Sequence, residues 1–589
     1  MRSPNTEAKD GTRVELLQNA EENADYRERL KLLVQRTRDL AGEGNTFRVT
    51  CPWRIRVGGI RGPESILLPA FDNLGMPYIP SSTLRGVARA QAIQEIATKD
   101  NVSWEEAEKK IAPYFGSLDA AKEHRTGKVI FFDAYPLPTA TEKAGGLSVD
   151  MANKIWGWKE DELEYNPNPN AFLSLENPTF VIGLRPMPGC DEETFKQVSK
   201  WLSKGLTKNG AGSQINSGYG NFILSNSTKP IKISREFFRV EFTLEGQLIH
   251  GNQKSTSHSW KWNYNKTTRQ WEWQHRGQPK AEVRPIAFKS MLRYWFRTFA
   301  LGVIPPAQIK QLNEWESNIF GGINPRRLGW ISCNILNGEV VKLEPYSTEQ
   351  GKNEPCGKQV GILVLSHTSQ TPENKKEAIT KLLKNLTWIM FHLGGVGQGA
   401  RRPCYSRQNR DKAPWWRGST LTPDPEGENE FWNLPDDLQQ FQRLFRQHIA
   451  EFYQALNELF QTSINPYNPT IHSIVNADKE KWIDAVDANC KIVVCQGKKN
   501  QEKVYPLGIL HSSELKDNGD YDKSLCGGIN PPQPSPVWIK DIDYEGITYQ
   551  VVTVFGVTQG SQNPRNLYLK QLQKTGKKSY FQIFPFTES

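Results

Sequence analysis

The strongest constraint on this chain is a pattern that occurs twice, about 204 residues apart. The first copy runs from Gly75 to Arg89. Its opening, Met76 to Pro80, is held out of helix by two prolines, and Ser81 or Ser82 is placed to cap the helix that comes next. Arg85 and Arg89 then stand at i and i+4, which puts two guanidinium groups on one helix face. The second copy runs from Val283 to Arg297. A shift of 204 sets Arg85 on Lys289 and Arg89 on Arg293. Here the basic row lengthens to Lys289, Arg293 and Arg297, while Met291, Leu292, Trp295, Phe296 and Phe299 supply apolar positions on the other sides. A Phe-Gly pair comes after each helix, Phe115-Gly116 and Phe320-Gly321, and leads to a strand, Lys128 to Phe132 and Gly329 to Ile335. Each copy closes on a glycine-rich loop, Asn209 to Gly220 and Gly394 to Arg402. Four features recurring in one order mark a tandem duplication.

The repeated helix start has the chemistry of an anion site. It offers free backbone amides, the hydroxyls of Ser81 and Ser82, and the Arg85 and Arg89 guanidiniums, which together suit a phosphate. Gly86, inside the helix, costs about 1 kcal/mol relative to alanine and so points to something approaching the backbone there. The same pattern also fits the solvated face of an ordinary amphipathic helix. The second copy favours the phosphate reading.

At 589 residues the chain is too long for one core and predicts three or four domains. Its net charge of +10, from 74 basic and 64 acidic residues, is a moderate excess, so the places where basic residues gather matter more than their number. No run approaches 18 apolar residues, and the N-terminal sequence lacks an apolar signal core, so a cytoplasmic protein with no membrane partner is expected. The eight cysteines are scattered without a Cys-x-x-Cys pair, which speaks for reduced core thiols and against structural zinc. No cofactor and no metal are expected.

In order, residues 1–45 read as a tail and a charged helical pattern from Val14 to Ala41, docking on its own domain or on a neighbour. Phe47 to Val57 reads as a strand, 140–170 as an irregular insertion rich in Gly, Asn and Pro, Thr179 to Leu184 as a strand and Glu192 to Leu206 as a helix. This order of strand, helix, strands, helix, strand is the split β-α-β or ferredoxin-like pattern. Phe237 to His250 restarts with a long strand. Between Trp260 and Trp273, alternating aromatics predict a hairpin with one aromatic face, suited to packing against protein or, less readily, to stacking on bases. A helix from Lys376 to Leu393 feeds the second glycine-rich loop, and Arg401 to Thr420 is the densest mixture of basic and aromatic residues. Residues 421–430 read as a boundary, with a helix from Asp436 to Phe460 beyond it and then short strands at Lys491–Val494, Val537–Ile542 and Gln550–Phe555.

Several of these stretches resemble a known family. Pro77 to Arg89, Phe115-Gly116, Gly127 to Pro136 and Gly210 to Gly220 resemble the sixth subunit of the type III-B CRISPR effector called Cmr, a member of the RAMP superfamily. Val283 to Arg297, Ile319 to Gly322 and Gly394 to Arg402 look like the first subunit of the same complex. The resemblance implies an α+β chain with tandem ferredoxin-like (RRM-like) RAMP domains at 46–230 and 236–420, a helical N-terminal extension over 1–45 and an α+β lobe at 431–589, in effect a fusion of two subunits. It implies a non-catalytic RNA-binding structural subunit that caps the effector near the 3′ end of the guide RNA, helps bind target RNA, and has other type III subunits as partners.

The RNA-facing residues so implied are Ser81, Ser82, Arg85, Arg89, Gly210, Gly212, Ser213, Gln214, Asn216, Arg284, Lys289, Arg293, Arg297, Gly397, Gln398, Arg401 and Arg402. The chain departs from the pattern at two places. The catalytic aspartate of the family's target-cutting subunit would fall near Leu67, where the nearest carboxylates are Glu64 and Asp72. The second glycine-rich loop leaves through Pro403 where the family usually continues with glycine. The alternative is a metal-independent RAMP endoribonuclease, with His250 and Lys254 as acid and base.

Overall fold

The structure is a computed structural model. It describes residues 9–586 except 59, 62–66, 69, 139–145, 154–155, 160–161, 166–168, 226–232, 255–259, 266–269, 276–277, 323–325, 344–354, 398, 402–404, 408–414, 425–429, 474–483, 497–503, 530–531, 534, 545–546, 558–562 and 575–578. The chain divides into two compact units, one holding residues up to 152, 169–236 and 252–278, the other 153–168, 237–251 and 279–589. Helices mix with antiparallel sheets throughout, the α+β class expected from the sequence.

The first unit begins with two helices, α1 (Lys9–Asn23) and α2 (Arg27–Ala41), where the sequence pattern suggested one. They lead to strand β1 (Thr46–Thr50), a short β2 (Arg54–Ile55), helix α3 (Ser81–Asp100), helix α4 (Trp104–Lys110) and strand β3 (Val129–Phe131). Then come β4 (Leu147–Asn153), β5 (Pro169–Glu176), β6 (Thr179–Pro186), helix α5 (Glu192–Asn209) and β7 (Ile223–Leu224). Four of these strands pair in the order β7-β1-β6-β3, all antiparallel, with Phe47 opposite Ile182 and Leu184 opposite Phe131. That is the ferredoxin-like order.

The expected single strand at 47–57 is broken between Thr50 and Arg54, and the expected irregular insertion at 140–170 contains strands, β4 and the start of β5 among them. Gly, Asn and Pro break local periodicity, but pairing between neighbouring segments, Leu147–Asn153 with Pro169–Glu176 among them, decided the outcome there.

Helices α3 and α5 pack together through Leu84, Ala88, Ala92, Val198, Leu202 and Leu206, all buried with Val49, Ile182 and Leu184 of the sheet. Gly205 lets them approach, since a Cβ there would stand 2.7 Å from Val87 Cγ1. On β6, Gly183 points away from this core, and its Cβ would meet Thr37 Cγ2 at 2.7 Å and Ala41 at 3.3 Å. Helix α2 therefore docks on its own unit.

In the second unit, β8 (Glu236–Gln247), helices α6 (Pro285–Val303) and α7 (Ile309–Phe320), strands β9 (Ile331–Leu343) and β10 (Cys356–His367), helix α8 (Lys376–Leu393) and β11 (Ser419–Pro423) come in turn. Their sheet runs β11-β8-β10-β9, the same strand order as in the first unit. Helix α9 (Leu438–Phe460) starts at Asp437, whose carboxylate accepts from the Gln440 amide at 2.9 Å. It packs on α8 and on the strand Tyr580–Phe584, where Arg446 donates to the carbonyls of Gln582 and Ile583. One hydrophobic core runs from Phe238 to Phe584 and takes in residues of both 237–421 and 432–584. The aromatic hairpin, which falls in the first unit, is present as backbone, Trp260–Asn265 paired with Gln270–His275 and Trp262 opposite Trp273, with its side chains outside the described residues.

Between α8 and α9, Trp388 lies against His392 and His448 with ring centroids 3.9 and 4.0 Å apart. His392 Nδ1 bonds the Trp388 carbonyl and His448 Nδ1 the Asn385 side-chain oxygen, each at 2.7 Å. Burial lowers His392 to about 3, with Lys540 and His448 adding to it, and lowers His448 to about 4 against the opposing pull of Glu451. The unfolded chain protonates these imidazoles near pH 6.5 while the native state keeps them neutral. The native state thus binds fewer protons, and its stability is full above pH 6.5 and falls as pH drops toward 4 and 3. Each imidazole should cost about 1.4 kcal/mol per pH unit below its unfolded value. Urea unfolding is expected to give a stability about 2–3 kcal/mol lower at pH 5.5 than at pH 7.5, with His448→Gln removing about half of that difference.

Candidate nucleic-acid interface

The prolines do hold residues 76–80 extended, and Ile79 exchanges backbone hydrogen bonds with Ala134 at 2.9 and 3.0 Å. The cap of α3 is not a serine, however. Pro80 occupies that position, and the Ser81 amide donates to the Asp133 carboxylate at 2.7 Å. A carboxylate thus already stands at the helix end read as a phosphate seat, leaving Ser82 exposed and Ser81 half-buried. Among the described residues, the helix's own backbone aside, nothing lies within 4 Å of a Cβ built on Gly86, so none of them makes the close approach expected there.

The basic rows have partners. In the first unit Arg85 donates to the Phe115 carbonyl, and Arg89 pairs with Glu108 of α4. In the second unit Arg293 donates to the Gly321 carbonyl and lies 5.5 Å over the Phe320 ring. Arg297 grips Glu316 of α7 with both ends of its guanidinium, at 2.5 and 2.6 Å, and Arg293 Nε lies 3.9 Å from the same carboxylate. In both copies, then, arginines tie the repeated helix to the helix after it and to the Phe-Gly turn.

Those turns are tight for a steric reason. A Cβ on Gly116 would fall 2.6 Å from the Arg125 carbonyl oxygen, and one on Gly329 would fall 2.4 Å from the Gly321 nitrogen. The expectation of one exposed basic face on α6 is corrected. Lys289 and Arg297 are buried, as is Arg284 at the helix start, 3.7 Å from Glu282. Burial and the neighbouring Arg293 charge hold the Lys289 amine well below its ordinary range.

The first glycine-rich loop is built on contacts between backbones. Helix α5 ends at Gly210 (φ 73°), and the chain then runs beside β2. The Ser213 amide donates to the Arg56 carbonyl at 2.9 Å and the Gly220 amide to the Arg54 carbonyl at 2.8 Å. Gly212 (φ 96°) and Gly220 (φ 59°) are required there, since their Cβ atoms would fall 2.4 Å from the Arg56 oxygen and 1.8 Å from the Ala211 oxygen. Gln214 is in the left-handed region (φ 58°) and opens a turn over Ile215–Ser217 that contains Asn216.

Beside this loop lie residues the sequence reading missed. Arg54 donates to Ser174 at 2.9 Å and lies 3.5 Å from Glu176, Arg56 donates through Nε to Ser213 at 3.0 Å, and Tyr219 donates to Asp150 at 2.6 Å. The available signal was Arg54 and Arg56 at i and i+2 in a strand pattern, which puts both on one face.

In the second loop Gly395 pairs with Arg401 and Gly397 with Gly399, and Gly397 is buried. Gln398, Arg402, Pro403 and the Arg401 side chain lie outside the described residues. His250 is buried, and the Lys254 side chain, Glu64 and the Leu67 side chain also lie outside the described residues. Asp72 closes a turn, accepting from the amides of Leu74 and Met76 at 2.9 Å. Among the described residues no group of three or more His, Cys, Asp or Glu could hold a metal ion, and no helix is long and apolar enough to cross a membrane.

The two arginine clamps should differ sharply in strength. Glu316→Gln leaves buried guanidinium without its carboxylate and should lower stability by about 3–5 kcal/mol. Glu108→Gln, whose partners are 40% and 46% exposed, should cost less than about 1 kcal/mol. Denaturant unfolding of the two variants checks both. Gly220→Ala should lose at least about 1–3 kcal/mol through backbone strain, read in the same way.

Comparison with known proteins agrees with the first half of this description. Residues 46–223 match the family model of the RAMP superfamily. No curated protein matches the chain. Among solved structures, a chain of the type III-B Cmr-beta complex bound to cognate target RNA is similar at 19% identity and a TM-score of 0.28, covering 38% of this chain and 77% of that one. Cmr6 from Pyrococcus furiosus is similar at 21% identity and a TM-score of 0.20, covering 30% and 96%. A chain of Cmr-beta bound to cognate target RNA and AMPPnP in the presence of ssDNA gives 9% identity and a TM-score of 0.28, covering 57% and 98%. Scores this low carry no argument of their own. The stretch from residue 46 to 223, which matches the RAMP superfamily model, carries the β7-β1-β6-β3 sheet of ferredoxin-like order.

Proposed function

We propose that this chain is a non-catalytic RNA-binding structural subunit of a type III CRISPR effector, capping it near the 3′ end of the guide RNA and helping hold the target. The observation that carries the reading is the glycine-rich loop of the RAMP stretch. It is fixed by backbone contacts to Arg54 and Arg56, with Gly212 and Gly220 packed against the carbonyl oxygens of Arg56 and Ala211, and it leaves Gly212 exposed. An exposed glycine backbone admits close approach of a phosphate backbone. The equal strand order of the second sheet supports a second RAMP-like domain at 236–420, with residues 431–589 as its C-terminal lobe. Partners in this reading are guide RNA, target RNA and other effector subunits in the cytoplasm.

The deciding experiment is to tag the chain in its host, purify it gently, and sequence the RNA that accompanies it. Short RNAs made of a repeat-derived 5′ handle and a spacer, together with other CRISPR subunits, are expected. Unrelated RNA or none would refute the reading, and cleavage of the bound RNA would replace it with the ribonuclease alternative. Because the contacts are to phosphates, RNA affinity should fall about 10³-fold or more between 50 and 200 mM salt if six or more phosphates are neutralised. Gly86→Ala should raise the stability of the free protein by up to about 1 kcal/mol and weaken RNA binding if the RNA backbone passes over this open glycine.

A further inference from the structure

We propose that the outer flank of α2 is a docking surface for an acidic, amphipathic helix of a partner protein; this goes beyond RNA binding and does not depend on it. The inner face of α2 is occupied by its own unit, where Leu30, Leu33, Val34, Thr37 and Ala41 are buried. A helix that only shields a sheet needs one apolar face and keeps polar residues elsewhere. Helix α2 carries a second apolar row. Leu32 is 70% exposed and Leu40 37% exposed, and Arg29 and Arg36 are exposed beside them. At 3.6 residues per turn these four positions fall within about 80° of one another, in a row about 16 Å long. The steps from Arg29 to Leu32, Arg36 and Leu40 are 3, 4 and 4 residues, the spacing of a seam along which two helices pack.

The charge on this row is not neutralised within the protein. Helix α2 holds five basic residues against two acidic ones. Of the carboxylates on and beside it, Glu28 pairs with Lys31 at 2.7 Å, Asp25 lies 3.7 Å from Arg27, and Asp39 accepts from Gln35 at 2.7 Å. Among the described residues no carboxylate pairs with Arg29 or Arg36. The occupant must therefore supply both negative charge and apolar surface. A nucleic acid would answer the two arginines but set the leucines against sugar and phosphate. A second copy of this chain would cover the leucines but bring arginines toward arginines across a twofold axis. A partner helix with apolar residues over Leu32 and Leu40, and Asp or Glu over Arg29 and Arg36, meets both requirements.

The test uses the full chain in the assembly purified from its host, with a photoreactive diazirine amino acid in place of Leu32. Irradiation should crosslink position 32 to a different protein. The crosslinked peptide should have apolar residues at helical spacing with Asp or Glu among them. With that partner purified, Leu32→Gln and Arg36→Glu should each weaken association about tenfold or more. Exchanging the partner's opposing acid for lysine should restore the affinity of Arg36→Glu. Both side chains are exposed, so each variant should unfold at the wild-type denaturant midpoint.

Crosslinks only to RNA, to another copy of this chain or to a segment without acidic residues would overturn the proposal, as would no crosslink at all or wild-type affinity in both variants. The RNA in the same preparation is read separately. An assembly that carries guide RNA but gives no protein crosslink from position 32 refutes the docking surface alone. One that lacks RNA yet gives the acidic crosslink refutes the RNA-binding reading and leaves the surface standing.

Discussion

The first unit depends on the contact of α3 with α5 at Gly205, where a methyl group would already collide with Val87. The helices are locked further by Lys204 on Glu95 at 2.7 Å and by Asn209 on Gln91 at 2.9 Å, so α5 reaches its last turn with little freedom. The chain leaves that turn at Gly210 and immediately becomes the glycine-rich loop. The loop's position is therefore inherited from a helix–helix packing contact and transmitted through a rigid rod, not through the loop's own flexibility. This is how a stretch with few side-chain anchors of its own holds one conformation.

Much of this was legible in the sequence, and the part that was not has a physical cause. The glycine-rich loops, the Phe-Gly turns and the helix at Lys376–Leu393 were visible because each depends on local rules of backbone freedom and periodicity. The roles of the arginines were not. A spacing of i and i+4 says which side chains share a face, but not whether that face meets water or protein, and Arg297 and Lys289 turned inward because Glu316 and a large apolar core lie there. The capping error at Ser81 is of the same kind. Asp133 lies 52 residues downstream, and a carboxylate brought in by tertiary structure displaced the local cap. The strands within 140–170 were hidden because the Gly, Asn and Pro residues there interrupt the alternation that marks a strand, although Trp156–Lys159 pairs with the nearby Glu162–Tyr165 and Leu147–Asn153 with Pro169–Glu176.

The halves share, before anything else, a structural clamp, arginine on carboxylate and on the carbonyl of a Phe-Gly turn, that fastens the repeated helix to the next helix and its turn. Charge committed to these clamps is charge withdrawn from the surface. The arginines so engaged are held by the protein's own groups, so the count of basic residues overstates how many are free at the surface.

The docking of α2 on β6 has one further result. Gly183 lies on the side of the sheet opposite the α3 and α5 core, and Thr37 and Ala41 of α2 are packed directly over it. In open ferredoxin-like sheets that outer side is where bases are laid flat on aromatic side chains and read one by one. Here a helix covers it at β6, one of the two inner strands. A nucleic acid could not lie flat on β6 at this point, and at the rims of the sheet it would meet loops and helix ends, through sugar and phosphate. Those groups are the same in every nucleotide, so contacts made there would not depend on sequence.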